Sequence, residues 1–314
     1  MKTRILQRRS LSIGMLVALL VSMVPFAGTA GNHEATRTPV AFTSTYVEMV
    51  DPGEEWVDAA GVHHIRGAVQ HEEVSGDISG TVTITLDGDF EPVGECTEDS
   101  CQGFFSAWAA IEITGEGGGW KGTYIQLSAD VEDEGFHTDR LILRGTGANA
   151  HQSIYAESVG GDENSITFEG VLSTMALPMV GLNTNVRLCA DFEEFSFTGG
   201  FLSTGAIEGS GGASTDPLVA GSRWTHTYAV AATVTLSDEH GTVTIVFGGG
   251  AQDNFTEAFE ASHFWGHFMI LEGTGAYAEL YGNGRVIGTA GGPNPSCASG
   301  FGVNFSMIGE AHYN

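Results

Sequence analysis

Apolar and polar residues alternate with a period of two along most of the chain from Thr43 onward. Segments such as Thr81–Leu86, Gly122–Leu127 and Ala231–Leu236 place β-branched or apolar side chains at every second position. Each segment is short and is bounded by Gly, Asp, Asn or Ser, as strands joined by tight turns are. A helical period of 3.6 is hard to find after the first thirty residues. The pattern therefore predicts an all-β protein built as a sandwich or a barrel.

The chain also repeats itself over a distance that suits a whole small domain. Leu141–Ala150 (LILRGTGANA) matches Met269–Ala278 (MILEGTGAYA), so that the first glycines of the two motifs, Gly145 and Gly273, lie 128 positions apart. A period of about 130 residues is too long for a solenoid or propeller repeat. It is long enough for eight strands of ordinary length with their turns.

A closed up-and-down barrel removes the exposed strand edges that an open sheet must protect. We therefore predict two tandem antiparallel eight-stranded β-barrels. The predicted boundaries are 31–55 for a linker or strand, 56–190 for the first barrel and 191–314 for the second barrel. The 45 glycines of the chain fit this prediction, because tight turns and barrel corners need positive φ or a close backbone approach.

The first thirty residues have the pattern of an export signal. A basic start is followed by the apolar run Leu11–Phe26 and by the small residues Ala27–Ala30. This order predicts a signal peptide over residues 1–30, with cleavage after Ala30. The pair Arg8-Arg9 is compatible with an ordinary export signal and with a twin-arginine signal. We expect a secreted, periplasmic or extracellular protein, whose mature chain has no segment apolar enough to span a bilayer.

The charge of the chain excludes two classes of partner. It has 12 Lys and Arg against 39 Asp and Glu, a formal net charge of −27. Nucleic-acid binding needs clustered Lys and Arg, and so does peripheral binding to anionic lipid. Neither partner is expected.

An even number of cysteines in an exported chain indicates disulfides. Cys96 and Cys101 flank a short polar loop, and a local bridge across it is the simplest pairing. Cys189 and Cys297 would then join distant parts of the chain. Four cysteines allow three connectivities, so this pairing is a preference. A zinc site is the rival interpretation, and the scattered spacing argues against it.

Polar side chains precede both copies of the glycine motif. Because side chains on a strand alternate between its two faces, one face in the second copy carries His263, Trp265, His267, Met269 and Leu271. The equivalent face in the first copy carries His137, Asp139, Leu141 and Leu143. If these faces line the barrels, each barrel has an apolar pocket with a polar mouth, where a histidine serves as an acid or base. Histidines that are solvated or satisfied at a barrel rim are the alternative.

Other motifs give weaker signals. His63 and His64, with His71 and Glu72, have residue types that suit Zn or Cu, but adjacent residues on a strand point to opposite faces. The glycine run Gly248–Gly250 is not followed by a helix, so it is not a phosphate-binding loop. No metal site and no cofactor are predicted.

The repeated Leu-x-Gly-Thr-Gly-Ala-x-Ala motif, with Gly282–Gly284 (GNG) after its second copy, resembles the allene oxide cyclase-like barrel group. This group includes the dirigent-like barrels and a set of exported bacterial proteins. His64–Gly67, Ser75–Thr81 and Trp120–Gly122 resemble segments of those bacterial proteins. These motifs specify turns, so the resemblance implies a fold more than a function.

Plant members of the group include an isomerase that cyclises an unstable fatty-acid epoxide, but the resemblance assigns no catalytic residue here. Three functional hypotheses follow. The chain binds a small apolar molecule inside a barrel, or it is an isomerase or cyclase of a hydrophobic substrate, or it is a non-catalytic structural or surface protein. Whether the protein is an enzyme stays open at this point. Its oligomeric state is open as well: trimers occur among members of the group, but a tandem duplication is able to replace contacts between subunits with contacts within one chain.

Overall fold

The computed structural model describes residues 35–59, 61–93, 102–130, 136–162, 164–176, 179–191, 196–220, 227–252, 262–293 and 296–314. The predicted signal peptide and the Cys96–Cys101 pair lie outside these residues. The part of the chain described in this way contains no helix that is long and apolar enough to span a bilayer.

The first barrel is a closed antiparallel sheet. Its strands are β1 (Thr36–Asp51), β3 (His63–Gly76), β4 (Gly80–Pro92), β5 (Gly103–Gly115), β6 (Gly118–Asp130), β7 (Phe136–Gly147), β8 (Gln152–Gly161) and β9 (Ser165–Thr174). Consecutive strands are neighbours, and β1 closes the barrel by pairing with both β3 and β9. A short strand, β2 (Glu54–Val57), continues β1 along β3 after an interruption at Pro52 and Gly53.

The second barrel repeats this plan. Its strands are β10 (Val180–Asp191), β11 (Ser196–Gly205), β12 (Gly209–Ala220), β13 (Thr227–Asp238), β14 (Gly241–Gln252), β15 (Ser262–Gly273), β16 (Leu280–Pro293) and β17 (Phe301–Tyr313). They form one closed barrel in chain order, and β10 pairs with β17. The predicted fold, two tandem closed antiparallel eight-stranded barrels, is confirmed.

The barrel boundaries differ from the predicted ones. The segment predicted as a linker or strand, 31–55, contains β1, which is the closing strand of the first barrel. The predicted first barrel, 56–190, contains nearly all of β10, which is the closing strand of the second barrel. The connection between the barrels therefore lies between Thr174 and Val180. The glycine motif lies inside the repeat, so it revealed the period without marking where each repeat begins.

The repeated glycine motif forms the turns that follow β7 and β15. Its second glycines, Gly147 and Gly275, have φ of 62° and 59°. At its first glycines the chain folds back so closely that a Cβ on Gly145 would lie 1.8 Å from the carbonyl oxygen of Asn149. A Cβ on Gly273 would lie 1.9 Å from the carbonyl oxygen of Tyr277. The motif thus serves the same turn in both barrels, where only glycine fits.

A disulfide joins Cys189 at the end of β10 to Cys297, which precedes β17. The predicted pairing of these two cysteines is confirmed. The bridge closes a loop with a sequence separation of 108 residues within the second barrel. A loop of that length is expected to stabilise the fold by roughly 4–5 kcal/mol in the chain-entropy view, because it restricts the unfolded chain.

The two barrels pack through the outer faces of β5–β7 and β13–β15. Ile125 and Leu127 of the first barrel lie against Ala229 and Ala231 of the second, and all four are buried. A second apolar cluster contains Ile142, Val246 and Met269. These strands are apolar on both faces, because one face fills a barrel and the other fills the space between barrels.

Glycines of β14 make this close approach between the barrels possible. A Cβ on Gly248 would lie 2.2 Å from the Cδ1 methyl of Ile125. A Cβ on Gly250 would lie 2.8 Å from the indole nitrogen of Trp108. The run Gly248–Gly250 is therefore a flat surface on which the side chains of the first barrel rest.

We expect Gly250→Ala to destabilise the protein by about 1–3 kcal/mol, because the new methyl group overpacks a site occupied by a rigid indole. Gly212→Ala is the matched control, since the nearest atom to its new Cβ is 3.9 Å away and neither glycine has positive φ. Urea unfolding followed by tryptophan fluorescence measures both. Equal midpoints for the two variants would contradict the proposed role of Gly250.

Candidate functional site

The interior of the first barrel encloses a cavity of about 180 Å³. Most of its wall is apolar and comes from alternate residues of six strands: Phe42, Val74, Val82, Ile84, Leu86, Ile111, Ile113, Leu141, Ile166 and Phe168. Five residues with polar groups also line it: Ser44, Gln70, Glu72, Tyr124 and Gln126. The cavity is thus an apolar chamber into which a small number of polar groups converge, the usual character of a small-molecule site.

Glu72 is the only ionisable carboxyl group among the described residues that line this cavity. It lies on β3, and the hydroxyl group of Ser44 and the Nε2 group of Gln70 donate hydrogen bonds to its two oxygens, the second at 2.7 Å. Burial raises the pKa of Glu72, and the two hydrogen bonds oppose that rise. The carboxyl group therefore takes up a proton at a higher pH than an exposed glutamate does.

A chain of hydrogen bonds leads from the cavity wall to the solvent. The hydroxyl group of Tyr124 donates to Oδ1 of Asp139 at 2.9 Å, and Nε2 of His137 lies 2.8 Å from Oδ2. Asp139 is 2% exposed and His137 is 53% exposed. Sequence analysis placed His137 and Asp139 on one face with Leu141, and the structure places that face inside the first barrel.

The two ends of this chain, Tyr124 and His137, both have raised pKa values. Burial raises the pKa of Tyr124 well above its ordinary value, and the charges of Asp139 and Glu72 add to the rise. Tyr124 therefore stays protonated and donates. The hydrogen bond to Asp139 raises the pKa of His137, although burial opposes it. A carboxylate bonded to an imidazole and a phenol holds both protons in defined places.

The expectation for the second copy is wrong: the face that carries His263, Trp265 and His267 points out of the second barrel. The interior of that barrel contains Phe264, Phe268 and Ile270 from the same strand instead.

A β-bulge causes this reversal. Thr244 of β14 pairs with Glu272, whereas its next residue, Ile245, pairs with Ile270, so Leu271 is an extra residue in β15. Strand β7 has no such bulge in its pairing with β6. One inserted residue moves every preceding side chain to the opposite face of the strand.

The three outward residues have separate environments. Nδ1 of His267 lies 2.9 Å from the Thr123 hydroxyl group of the first barrel, and burial followed by the charges of Arg285 and Arg144 lowers its pKa. The indole of Trp265 contacts Trp108 of the first barrel edge-to-face at 5.9 Å. His263 is exposed on the outer surface. These residues do not form one site with His137 and Asp139.

Aromatic rings occupy the middle of the second barrel. The ring centroids of Phe247, Phe264 and Phe305 lie 5.9–6.1 Å from one another. Phe201 and Phe268 are buried in the same cluster. The first barrel instead surrounds its cavity with mostly aliphatic residues, together with the rings of Phe42, Phe168 and Tyr124. The two barrels thus share one strand arrangement and differ in the side chains that occupy their interiors.

In the sequence, Glu72 belongs only to a weak metal motif, and no functional motif contains Gln126. A detectable signal was present, because Gln70, Glu72 and Val74 share one face of a strand with period two. The histidines of that motif lie apart: buried His64 pairs with Asp89 at 2.8 Å, and His71 faces Glu48 at 3.4 Å. His64 thus contributes to holding the β2–β3 hairpin.

Comparison of the chain with family models, with curated proteins and with solved structures returns no significant match. Membership of the allene oxide cyclase-like group stays a prediction, supported by the turn motifs and compatible with the barrels.

We expect the two part-buried histidines to titrate on opposite sides of the usual value of roughly 6.5. His137 should titrate above it and His267 below it, measured by imidazole resonances in a pH series by NMR. Protonation of His137 stabilises the fold below its unfolded pKa, and this contribution is lost as pH rises through the folded pKa. Neutral His267 favours the fold above its unfolded pKa, and this contribution is lost as pH falls through the folded pKa.

Asp139→Asn is the control for the first histidine, because it removes the carboxylate that holds the proton. It should lower the pKa of His137 and leave the titration of His267 unchanged. A His137 titration that does not move in this variant would contradict the assigned hydrogen bond.

Proposed function

We propose that this protein binds a small hydrophobic molecule, about the size of one substituted ring, inside its first barrel. The cavity of about 180 Å³ with convergent polar groups carries the proposal. A dry protein cavity of roughly 150 Å³ is enough to hold benzene, whereas sites for drug-sized ligands start near 300 Å³. A long-chain fatty-acid derivative does not fit within that volume as a whole.

The polar groups define the kind of ring. Glu72 presents a carboxyl group whose pKa is raised by burial, and Gln126 both donates and accepts hydrogen bonds. A ring that bears one carbonyl or hydroxyl group would satisfy them, and an unsubstituted ring would leave them without a ligand partner. Such a cavity supports the ligand hypotheses over a purely structural role.

We also propose that the protein is exported and that it belongs to the allene oxide cyclase-like barrel group. Disulfides persist in oxidising compartments, so the Cys189–Cys297 bridge is in keeping with a secreted or periplasmic location. We place the chain with the allene oxide cyclase-like barrels on its glycine motifs and its tandem closed barrels.

The test is a titration with cyclohexanone, monitored by NMR of isoleucine, leucine and valine methyl groups. We expect shifts at Val82, Ile84 and Ile111, which line the cavity, and none at Val243 and Ile245 in the core of the second barrel. Ile84→Phe should weaken binding at least about tenfold, because the added ring atoms occupy the cavity. Shifts of equal size in both barrels would contradict the proposal.

A second candidate, an isomerase or cyclase, is favoured by one observation. Glu72 with its raised pKa lies in the same barrel interior as Tyr124, which bonds to Asp139. A buried carboxyl group with a raised pKa serves as a general acid or base more readily than an exposed one, because its proton is held more tightly. A rigid apolar chamber also holds a reactive molecule in one orientation, and orientation alone supplies much of the acceleration of a cyclisation.

The raised pKa of Glu72 is tested by the variant Glu72→Gln. Since the folded pKa is raised, the neutral carboxyl group favours the folded state below the unfolded pKa of roughly 4.3, and this contribution is lost as pH rises through the folded pKa. The variant should therefore gain stability over the wild type as pH rises from 4 to 8. Glu73→Gln, an exposed neighbour on the opposite face, should show no such gain. Urea midpoints across the pH series measure both, and matching profiles would contradict the burial of Glu72.

A further inference from the structure

The outer surface of the second barrel carries a wide groove across five adjacent strands, with a volume of about 1430 Å³. The strands, in spatial order, are β11, β10, β17, β16 and β15. Strands lie about 4.8 Å apart, so the groove extends for roughly 19 Å around the barrel. We call it the outer groove.

Cross-strand pairing arranges the outward side chains of the groove in two parallel rows. The first row is Leu202, Asn185, Ser306, Ile287 and Trp265. The second row is Gly200, Arg187, Asn304, Thr289 and His263. The first row therefore offers apolar surface at both ends, and the second offers hydrogen-bonding groups along nearly its whole length.

The groove departs from the rest of the protein in charge. The chain has 39 Asp and Glu, yet none of those that the structure describes lines the outer groove. The lining does include Arg187 and His263. Apolar surface makes up more of the lining than polar surface. The polar part consists of the amides of Asn185 and Asn304, the hydroxyl groups of Thr289 and Ser306, and the side chains of Arg187 and His263. In a molecule with a net charge of −27, this surface suits a ligand recognised by neutral hydrogen bonds.

Several polar groups of the groove are available to a ligand. Within the described chain, Arg187, Asn304, Thr289 and His263 have no side-chain hydrogen bond or ion pair, whereas the Ser306 hydroxyl group donates to Asn185 at 2.7 Å. Trp265 is 37% exposed and its indole is held by Trp108. Ile287 is 54% exposed beside it. A flat apolar surface thus adjoins a row of donors and acceptors.

We propose that the outer groove binds an extended, neutral oligosaccharide. The C–H face of a sugar ring packs on an exposed indole, and its hydroxyl groups need the mixed donors and acceptors that Asn, Ser, Thr and Arg supply. A peptide that adds as a strand is disfavoured, because the closed barrel offers no free edge here. Anionic chains, and a second copy of this protein, are disfavoured by the net charge.

Calorimetric titration with three neutral hexasaccharides, cellohexaose, mannohexaose and chitohexaose, tests the proposal on the mature chain. At least one should bind, and its disaccharide should bind more weakly, since it spans fewer strands. Asn304→Ala and Asn185→Ala should each weaken binding at least about tenfold. Asn183→Ala is the matched control, because Asn183 is exposed on the same strand but lies outside the groove.

Trp265→Ala should abolish binding, and circular dichroism with thermal unfolding checks that its contact with Trp108 is not needed for folding. The proposal is overturned if none of the three hexasaccharides binds, or if Asn304→Ala and Asn185→Ala bind like the control. It is also overturned if hexagalacturonate binds in preference to every neutral probe. Sedimentation that shows a dimer dispersed by Ile287→Asn would assign the groove to self-association instead. None of these results depends on the cavity of the first barrel.

Discussion

Side chains on a strand alternate between the inside and the outside of a closed barrel, and the rest of this structure depends on that constraint. The inward set of the first barrel forms the chamber with Glu72, and the inward set of the second contains packed phenylalanine rings. The outward set of β5–β7 meets that of β13–β15 and joins the barrels. A single extra residue, Leu271, reverses the assignment for most of β15. Local register thus decides which residues are able to act together.

The duplication allows one barrel to keep an internal cavity while the other has a fully packed interior. A barrel of eight strands has an interior just wide enough for side chains or one small ligand. The second barrel fills its interior with packed aromatic rings, and its disulfide joins the outward face of β10 to the segment before β17. The first barrel, supported on one side by its neighbour, keeps a cavity. We interpret the pair as one assembly in which the ligand site and the outer groove lie on different barrels.

Burial sets the proton chemistry of the proposed site. Glu72 and Tyr124 both lie in the apolar interior, where low polarity disfavours the charged form of each and raises its pKa. Asp139 connects Tyr124 to His137 at the barrel end. The hydrogen-bonded chain therefore runs from the buried phenol of Tyr124 through Asp139 to the exposed imidazole of His137, and Glu72 lies beside it with its own partners, Ser44 and Gln70. That arrangement suits recognition of a polar substituent and is also compatible with acid–base chemistry.

The amino-acid sequence by itself determined the strands, the duplication and the turn glycines, because period-two alternation and glycine turns are local properties of the chain. It favoured the Cys189–Cys297 pairing among three connectivities, and the structure decided it. The sequence also placed His137 and Asp139 on one face of a strand with Leu141, which packs inside the first barrel. It did not determine the face of His263, Trp265 and His267, because a bulge arises from pairing with another strand and leaves no local pattern. Nor did it reveal the importance of Glu72, whose partners Ser44 and Gln70 matter only after β1 and β3 close the barrel. The tertiary structure decided those features, since burial and neighbours across a barrel depend on closure.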